Sequence, residues 1–402
     1  MRVLYLSPSG GLGGAERALL EGIRALRALE PSWTIGLISL DDGPLIPELR
    51  SLGADATVLP VPEVFAAAGE SGRSSVATLL HLTRGAGPLA SYARAFRRAV
   101  RAWHPDLVHS NGVKTHVLGA WSRPAAPLVW HVHDYLSARR VSASMLRHHR
   151  RAVSLVIANS RSVAADALRV FGPRTPVETI YNALDTDRFT RDGPRLDLDA
   201  LAGLPPAAPG VARVGIVATF ARWKGHAVFL QAIAGLAGAR PLRAYIVGGP
   251  VYRTGTASQV TGEELEALVQ TLGLEHRVGF TGFVEEPAHA YRSLDIVVHA
   301  STEPEPFGLS IAEAMACGRA VIISDAGGAR EVAEPERSCL GHTPGDVPGL
   351  ARQMSRLLDD QGLRERLGEA AAGAVRERFS PQRFAESLRG VYVRLVSAPC
   401  HA

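Results

Sequence analysis

Residues 303–324 read EPEPFGLSIAEAMACGRAVIIS, and this stretch says most about how the second half of the chain folds. Pro306-Phe307-Gly308 is typical of a helix start, and the helix is predicted to run to about Cys317, where Gly318 ends it. The apolar run AVIIS, Ala320–Ser324, predicts a buried strand. A helix followed by a buried strand is the repeating unit of α/β proteins, so the stretch predicts a parallel sheet covered by helices.

Two glutamates, Glu305 and Glu313, mark the start and the body of this helix, with seven residues between them. A helix N-terminus offers free N–H groups and the positive end of the dipole, and therefore suits a diphosphate. Eight residues of helix rise about 12 Å, so these carboxylates cannot share one water or one metal ion. They can hold the hydroxyls at the two ends of a nucleotide-diphosphate-sugar. They also fit an ordinary helix with an N-terminal acid and an exposed acid in its body.

Apolar runs alternate with longer helical segments along the whole chain. The strands predicted in the first half are Val3–Leu6, Thr34–Leu40, Asp106–His109, Leu128–His133, Leu155–Ala158 and Val177–Ile180. After Asp192–Gly210, which contains four prolines, the pattern restarts. The strands predicted there are Val214–Thr219, Ala244–Val247, Val278–Phe280, Ile296–His299 and Ala320–Ser324. This alternation predicts an α/β protein with parallel sheets covered on both faces.

The composition limits the class of protein. A chain of 402 residues is expected to form two domains. The three cysteines, Cys317, Cys339 and Cys400, are scattered, which suggests a reducing compartment and no metal-binding knuckle. No signal-peptide pattern precedes the first strand and no stretch approaches 18 apolar residues, so we expect a cytoplasmic protein without a membrane span. The sequence has no nucleic-acid-binding motif, and no nucleic acid is expected as a partner.

The positive charge is concentrated in the first half. Residues 1–200 hold 24 basic and 18 acidic side chains, whereas residues 201–402 hold 20 and 21. The densest basic segment is residues 139–151, which contains Arg139, Arg140, Arg147, His148, His149, Arg150 and Arg151. Such a segment can contact an anionic membrane surface or an anionic acceptor. It can equally be the solvated face of a helix.

Two motifs in the first half point to the carboxyl ends of strands. Gly10–Gly14 follows the first strand, and glycine lets the backbone approach a phosphate or a sugar, although the loop also fits a simple turn. The loop is not GxGxxG, which disfavours a dinucleotide fold. His131 and His133 alternate along one strand and point to the same side. His133 is nearer the carboxyl end, where parallel sheets bind ligands, but both histidines also fit a packed or capping role.

Arg222 and Lys224 follow the strand predicted at Val214–Thr219. Two fixed cations can neutralise a leaving diphosphate without a metal ion. The alternative is a pair of surface bases at a helix start, where cations are mildly unfavourable. No His, Cys and Asp cluster has metal-ligand spacing, so neither a metal ion nor another cofactor is expected.

These motifs together resemble the retaining glycosyltransferases of family 4, which have the GT-B fold. The resemblance covers residue 1 to about residue 390, and the matching segments occur in the order of the family. They are GGLGGAE at 10–16, HVHD at 131–134, IYNALDTDRF at 180–189, RWKG at 222–225, FTGFV at 280–284, EPFGLSIAEAMACGRAVIIS at 305–324 and GGARE at 327–331.

The resemblance implies an α/β fold with two Rossmann-like parallel-sheet domains that face each other across a cleft. Residues 1–190 would bind the acceptor, and residues 191–211 would be a linker. Residues 212–378 would bind the donor, and residues 379–402 would form a helix that crosses back to the first domain.

The resemblance also implies a role for each matching residue. His133 would lie near the donor sugar, with His131 as the alternative, and Asp134 would orient the turn or reach the acceptor. Glu305 would bind hydroxyls of the donor sugar, and Glu313 would bind those of the ribose. The catalytic set would be His133, Arg222, Lys224 and Glu305. The donor-binding set would be Gly13, Gly14, Val284, Phe307, Gly308, Leu309 and Glu313, with Val284 at the base and Gly308 and Leu309 at the diphosphate.

The implied function is the transfer of a sugar, with retention, from a UDP- or GDP-sugar to an acceptor hydroxyl in polysaccharide, glycolipid or natural-product biosynthesis. The leaving phosphate itself would take the acceptor proton. The alternatives are another GT-B enzyme, such as a phosphorylase or a nucleotide-sugar epimerase, and a catalytically silent sugar-nucleotide-binding partner. No lysine motif for pyridoxal phosphate is evident, which disfavours a phosphorylase. The presence of Arg222, Lys224, Glu305 and Glu313 disfavours a silent protein.

Overall fold

The computed structural model describes residues 1–62, 86–238, 240–250 and 258–398. It divides the chain into two compact units. The first unit contains residues 1–183 and the segment from Pro381 onward, and the second contains Leu184–Ser380. Residues 399–402, which include Cys400 and the end of the predicted C-terminal helix, lie outside the described residues.

The first unit is built on a 7-stranded parallel sheet with the order β3-β2-β1-β4-β5-β6-β7. Its strands are β1 (Arg2–Ser7), β2 (Thr34–Ser39), β3 (Asp55–Val58), β4 (Leu107–Ser110), β5 (Leu128–Val132), β6 (Leu155–Ala158) and β7 (Val177–Thr179). The central strands are almost continuously apolar because helices cover both faces of the sheet.

Two hydrophobic clusters, one on each face of this sheet, form the core of the first unit. The helices are α1 (Gly14–Leu29), α2 (Leu45–Ser51), α3 (Ala86–Ala102), α4 (Val113–Ser122), α5 (Arg140–His149), α6 (Arg161–Phe171) and α15 (Pro381–Ser397). The C-terminal helix α15 packs on α1, where the ring of Phe384 lies so close to Gly22 that a Cβ atom at that position would overlap it.

The second unit has a 6-stranded parallel sheet with the order β10-β9-β8-β11-β12-β13. Its strands are β8 (Ala212–Val217), β9 (Leu242–Val247), β10 (Val278–Gly282), β11 (Ile296–His299), β12 (Ala320–Ser324) and β13 (Leu340–His342). The helices are α7 (Leu198–Leu201), α8 (His226–Ala237), α9 (Gly262–Thr271), α10 (Pro287–Arg292), α11 (Leu309–Ala316), α12 (Ala329–Val332), α13 (Val347–Asp359) and α14 (Gln361–Arg378).

Residues 191–211, which the sequence predicts as a linker, lie within the second unit. Asp199 of α7 accepts hydrogen bonds from Arg243 and from the Tyr245 hydroxyl of β9, each at 2.6 Å. The buried Arg292 of α10 donates from Nε to the Thr190 carbonyl at 2.9 Å. The bonds to Asp199 hold the segment against the sheet. The two compact units divide at residues 183/184 and 380/381.

The α/β class with two parallel sheets is confirmed, and every predicted strand is present with ends that differ by at most two residues. The sequence analysis missed β3 and β13, whose sequences are DATV and LGH. Both lie at the edge of a sheet and are too short and too weakly apolar to give a pattern. Within the described ranges, no helix combines the length and the apolar character needed to cross a bilayer.

The strand order of each sheet reverses beside its first strand, between β1 and β4 in the first unit and between β8 and β11 in the second. The loops that follow two such strands diverge to opposite faces and leave a crevice at their carboxyl ends. In the second unit these two loops carry Lys224 and Glu305.

Candidate active site

Lys224 and Glu305 meet at the crevice beside β8 and β11. Lys224 ends a single 3-10 turn, Arg222–Lys224, that follows β8, and Glu305 lies in the loop after β11. Lys224 Nζ donates to Glu305 Oε2 at 2.8 Å, although the two residues are 81 positions apart in the chain. Both side chains are largely buried, so water screens this ion pair much less than a pair on the surface.

Gly225 allows the turn that carries Lys224 to lie close to the loop that carries Glu305. It has a φ angle of +75°, and a Cβ atom at this position would overlap the carbonyl oxygen of Ala300 in the loop after β11. The Thr302 N–H donates to the Trp223 carbonyl at 2.7 Å, which joins the same two loops. The Lys224 ammonium lies 3.9 Å from the ring centroid of Trp223, a cation–π contact that fixes the direction of the lysine.

Glu305 is ionised because donors surround it. Burial alone would raise the pKa of this carboxyl group, but the charge of Lys224 and a hydrogen bond from His299 outweigh it and lower the pKa to about 2. His299 Nε2 lies 3.0 Å from Glu305 Oε2, and the Ser301 hydroxyl lies 2.9 Å from the same ring nitrogen. Sequence reasoning missed both His299 and Ser301.

The eight-residue helix α11 begins immediately after this loop. Gly308 is its N-cap residue with a φ angle of +100°, and no side chain caps the helix, so the turn leads directly into the amides of Leu309 and Ser310. The first N–H groups of a helix have no partner within the helix, which is the property that suits an anion. The Phe307 side chain is not available to a ligand, because the ring is buried. Its centroid lies 5.5 Å from the ring centroid of Phe379.

Glu313 lies in the body of α11 and is buried rather than exposed. The hydroxyl of Tyr291, a fully buried residue of α10, donates to Glu313 Oε2 at 2.8 Å. The burial of Glu313 and its bond to Tyr291 exclude the alternative in which Glu313 is an ordinary exposed acid on a helix.

The Arg222 side chain points to a different acid from the one that Lys224 contacts. Its guanidinium donates to both carboxylate oxygens of Glu264 at 2.8 and 3.1 Å, and its side chain is 53% exposed. Glu264 also completes a capping box with Thr261 at the start of α9. In the present arrangement Lys224 contacts the buried acid, whereas Arg222 lies in a surface ion pair.

Val284 follows β10 at the carboxyl edge of the same sheet and is half-buried. The turn before it contains Gly282, which has a φ angle of +68° and whose carbonyl accepts from the Gly248 N–H at 2.9 Å. The neighbouring Phe283 ring is 63% exposed. Backbone atoms and one aromatic face are therefore present at the position predicted for the base.

In the first unit, His133 lies just beyond the end of β5. Its Nε2 donates to Asn111 Oδ1 at 2.8 Å, and the Asn111 amide donates to the Ala15 carbonyl at 3.2 Å. Burial lowers the pKa of His133 to about 4, so the ring is neutral at neutral pH. Asn111, which follows β4, was missed by the sequence analysis. Asp134 is exposed and pairs with Arg139 at 3.1 Å.

His131 belongs to a buried array instead. Its Nδ1 lies 3.2 Å from His109 Nε2, and the Tyr392 hydroxyl of α15 lies 2.6 Å from His109 Nδ1. The Tyr392 hydroxyl is 3.1 Å from that of Tyr5. Burial lowers the pKa of both His109 and His131, so the array is neutral and packs α15 on the sheet.

The glycine loop of the first unit is shaped by two contacts. A Cβ atom at Gly10 would lie 2.6–2.7 Å from the backbone of Asp41–Gly43, so this position requires glycine. Gly13 caps α1, and a Cβ atom there would lie 2.7 Å from Glu16 Oε2. Burial raises the pKa of the Glu16 carboxyl group. The hydrogen bonds that this group accepts from the backbone at Gly13 and at Glu16 itself act in the opposite direction and are smaller in effect. Gly14 faces open space.

Among the residues that the structure describes, no group of three or more His, Cys, Asp or Glu side chains is arranged to bind a metal ion.

Two family profiles match the chain. Residues 12–188 match Glycosyltransferase Family 4, and residues 207–373 match Glycosyl transferases group 1. The D-inositol 3-phosphate glycosyltransferase of Salinispora arenicola is 32% identical over 331 residues, which cover 74% of this chain and 70% of that protein. The N-acetyl-alpha-D-glucosaminyl L-malate synthase of Bacillus anthracis is 28% identical over 59% of each chain. The chain spans about half the length of several other curated relatives that it matches.

Solved structures of glycosyltransferases are also similar to this chain. HepE of Anabaena in complex with UDP and glucose is 28% identical, with a TM-score of 0.80 over 98% of this chain and 100% of that one. The complex of HepE with UDP-glucose has a TM-score of 0.78 at 27% identity. The chain therefore belongs to the group 1 glycosyltransferases of family 4, with the GT-B fold.

Proposed function

We propose that the protein transfers a sugar from a nucleotide-diphosphate-sugar to an acceptor hydroxyl, with retention at the anomeric carbon. The observation that carries this proposal is the buried Lys224–Glu305 pair at the carboxyl ends of β8 and β11, directly before α11. The cation and the helix N-terminus suit the negative diphosphate, and the ionised acid beside them suits the hydroxyls of the sugar.

Lys224 would neutralise the diphosphate as it departs, because charge accumulates on the phosphate oxygens when the bond to the sugar breaks. The amides of Gly308 and Leu309 would add the field of the helix N-terminus. Arg222 would reach the diphosphate only by leaving Glu264, and an exposed ion pair costs little to break.

Glu305 would accept hydrogen bonds from hydroxyls of the donor sugar, for which its ionised state makes it suitable. Glu313, held by Tyr291, would accept from the ribose hydroxyls. His133 is neutral with its proton on Nε2, which Asn111 binds, so its Nδ1 would accept a hydrogen bond from a hydroxyl of the sugar or the acceptor.

The acceptor oxygen would form its bond to the anomeric carbon on the face from which the phosphate leaves. The proton of the acceptor hydroxyl would pass to the departing phosphate oxygen. No carboxylate base takes part in this sequence, which agrees with the engagement of Glu305 by Lys224 and His299.

A donor screen tests the proposal. HepE binds UDP and UDP-glucose in its solved structures, so UDP-sugars are the first donors to compare with GDP-sugars. Release of nucleoside diphosphate is measured with and without a panel of hydroxyl acceptors, and NMR reads the anomeric configuration of the product. Release that depends on an acceptor, with a retained configuration, supports the proposal. Tight binding without turnover supports a silent binding protein, and an inverted product contradicts retention.

We also propose that the acceptor is anionic or is presented at an anionic membrane surface. The helix α5 and the turn after it expose Arg140, Arg150 and Arg151, and the exposed Val141 lies beside them. Basic residues next to an anionic bilayer contribute about 1 kcal/mol each, and salt screens the attraction. A solvated helix face remains the competing explanation.

Cosedimentation with phosphatidylserine vesicles separates the two explanations. Binding at low salt should fade as salt rises, and replacing Arg140, Arg150 and Arg151 with serine should weaken it. Arg147 is left in place because its Nε donates to the Val170 carbonyl at 2.7 Å. The matched control replaces three exposed arginines of the second unit, namely Arg337, Arg352 and Arg366. An equal loss in both triple variants, or no binding at any salt, contradicts the proposal.

A further inference from the structure

His299 is the last residue of β11, and its side chain is only 6% exposed. We propose that His299 is a positioning residue for the reaction: it holds the Glu305 carboxylate in one orientation for the donor sugar. This inference rests on the proposed function, because the orientation matters only if Glu305 meets a sugar.

The hydrogen bonds determine which ring nitrogen of His299 carries the proton. The backbone N–H of Ser324 donates to His299 Nδ1 at 3.3 Å. A backbone N–H can only donate, so Nδ1 is unprotonated and a neutral ring carries its proton on Nε2. That proton points to Glu305 Oε2, which is 3.0 Å away.

The neighbouring strand end holds this tautomer in place. Ser324 ends β12, and its hydroxyl donates to the Ser301 carbonyl at 2.6 Å. The Ser301 hydroxyl lies 2.9 Å from His299 Nε2 and 3.5 Å from Glu305 Oε2. The imidazole is therefore fixed on both sides, by a backbone amide at Nδ1 and by polar groups at Nε2.

Two donors converge on one oxygen of Glu305. Lys224 approaches Oε2 at 2.8 Å from the turn after β8, and His299 approaches it at 3.0 Å from β11. The Lys224 ammonium ends a four-carbon chain and rests on one face of Trp223, whereas the His299 ring has partners at both of its nitrogens and is the more rigid donor. The rigid donor therefore sets the plane of the carboxylate before the donor sugar arrives.

A purely structural role for His299 would be to fill space at the end of a strand. Two substitutions distinguish the roles. His299→Leu keeps an apolar side chain of similar size and removes both ring nitrogens. His299→Gln places an amide N–H near the position of Nε2 and can restore the bond to Glu305. A space-filling role predicts that leucine is the better replacement, and a positioning role predicts that glutamine is.

The kinetic test uses the full chain with the donor sugar identified by the screen. We expect His299→Leu to lose about 10- to 100-fold in kcat/KM, the range for a hydrogen bond to a charged group. Binding of UDP, which lacks the donor sugar, should stay within about twofold, and His299→Gln should recover most of the loss. A leucine variant as active as wild type, or an equal loss of UDP affinity, would overturn the inference.

A second readout does not depend on activity. Removing the His299 donor should raise the pKa of Glu305 toward its unfolded value. In wild type the stability that this ionised carboxyl group contributes is lost as the pH falls from about 4.5 to about 2, so the melting temperature of His299→Leu should fall less over this range than that of wild type. Lys224 and His342 of β13 are titratable groups near this pair, and burial lowers the pKa of His342. His299→Leu in a Glu305→Gln background keeps both of these groups and should lose the difference.

These two readouts separate the possible failures. If wild-type protein transfers no sugar, but His299→Leu differs from wild type in its acid sensitivity and this difference depends on Glu305, the proposed function fails and the contact is still verified. If transfer occurs, and the difference in acid sensitivity is absent or persists without Glu305, the inference fails and the proposed function stands.

Discussion

The Tyr291 hydroxyl donates a hydrogen bond to Glu313 Oε2 across 2.8 Å, and both residues are buried between α10 and α11. A buried carboxylate needs a donor, because its desolvation is otherwise uncompensated. Tyr291 therefore does for Glu313 what Lys224 and His299 do for Glu305. Each acid of the pair is oriented by a donor that comes from a different element of the same unit.

Tyr291→Phe should weaken the binding of UDP and lower stability. The substitution removes the donor and leaves the Glu313 carboxylate less well oriented for a ribose. The loss of a hydrogen bond to a charged group costs about 1.5–3 kcal/mol of unfolding free energy. Urea unfolding and isothermal titration with UDP measure the two effects. Unchanged UDP affinity in a folded variant would show that Tyr291 supports the core alone.

Lys224→Ala should lower turnover and also stability, because it removes a buried donor of the Glu305 carboxylate. The ammonium acts on charge that develops as the diphosphate leaves, so its loss should cost on the order of 3 kcal/mol, or about a hundredfold in rate. Arg222→Ala is the matched comparison, since that cation pairs with Glu264 at the surface and should have a smaller effect. Single-turnover rates with saturating donor test both variants. A larger loss in Arg222→Ala would reverse the two roles.

The sequence identifies the individual candidate residues of the site, but not their partners. Lys224 and Glu305 each belong to a motif with a recognisable local sequence, RWKG and EPFG. Their pairing depends on β8 and β11 being neighbours, which is a property of strand order and not of spacing in the chain. The sequence therefore predicts two charged loops and does not predict that they meet.

His299 and Asn111 were missed for a common reason. Each is a polar residue at the end of a buried strand or directly after it, and such a residue usually satisfies the core. A usable signal does exist for His299, because IVVH places a polar side chain at the carboxyl end of a buried parallel strand. That edge is where ligands collect. Tyr291 gives no such signal, since only the packing of α10 on α11 brings it to Glu313.

Glu305→Gln and Glu313→Gln should fail in different ways. Glu313 is proposed to hold the ribose, so Glu313→Gln should weaken the binding of bare UDP. Glu305 is proposed to hold the sugar, so Glu305→Gln should leave UDP binding nearly intact and damage transfer. Isothermal titration with UDP and with the intact donor distinguishes the two. Equal weakening of UDP binding by both substitutions would contradict the assignment.

Turnover should require no divalent metal ion. The expected reason is that Lys224 and the amides at the start of α11 supply the positive field at the diphosphate. Rates are measured in excess chelator and again after addition of magnesium or manganese. Loss of activity in chelator that either ion restores would refute the prediction.

Gly225→Ala should destabilise the second unit and abolish UDP binding. Its φ angle of +75° costs a non-glycine residue about 1–2 kcal/mol, and the new Cβ atom would overlap the Ala300 carbonyl oxygen. The turn that carries Lys224 must then move away from the loop that carries Glu305. We expect a total loss of at least about 3 kcal/mol in unfolding free energy.

Gly235→Ala is the control for this substitution, because Gly235 is an exposed position within α8 where a Cβ atom would meet nothing within 4 Å. The same chemical change there should stabilise the protein by about 0.5–1 kcal/mol, since alanine is the better helix former. The two variants thus differ only in where the methyl group is placed. If Gly225→Ala unfolds at the same urea concentration as wild type and still binds UDP, the close approach of the two loops is not required for the Lys224–Glu305 pair.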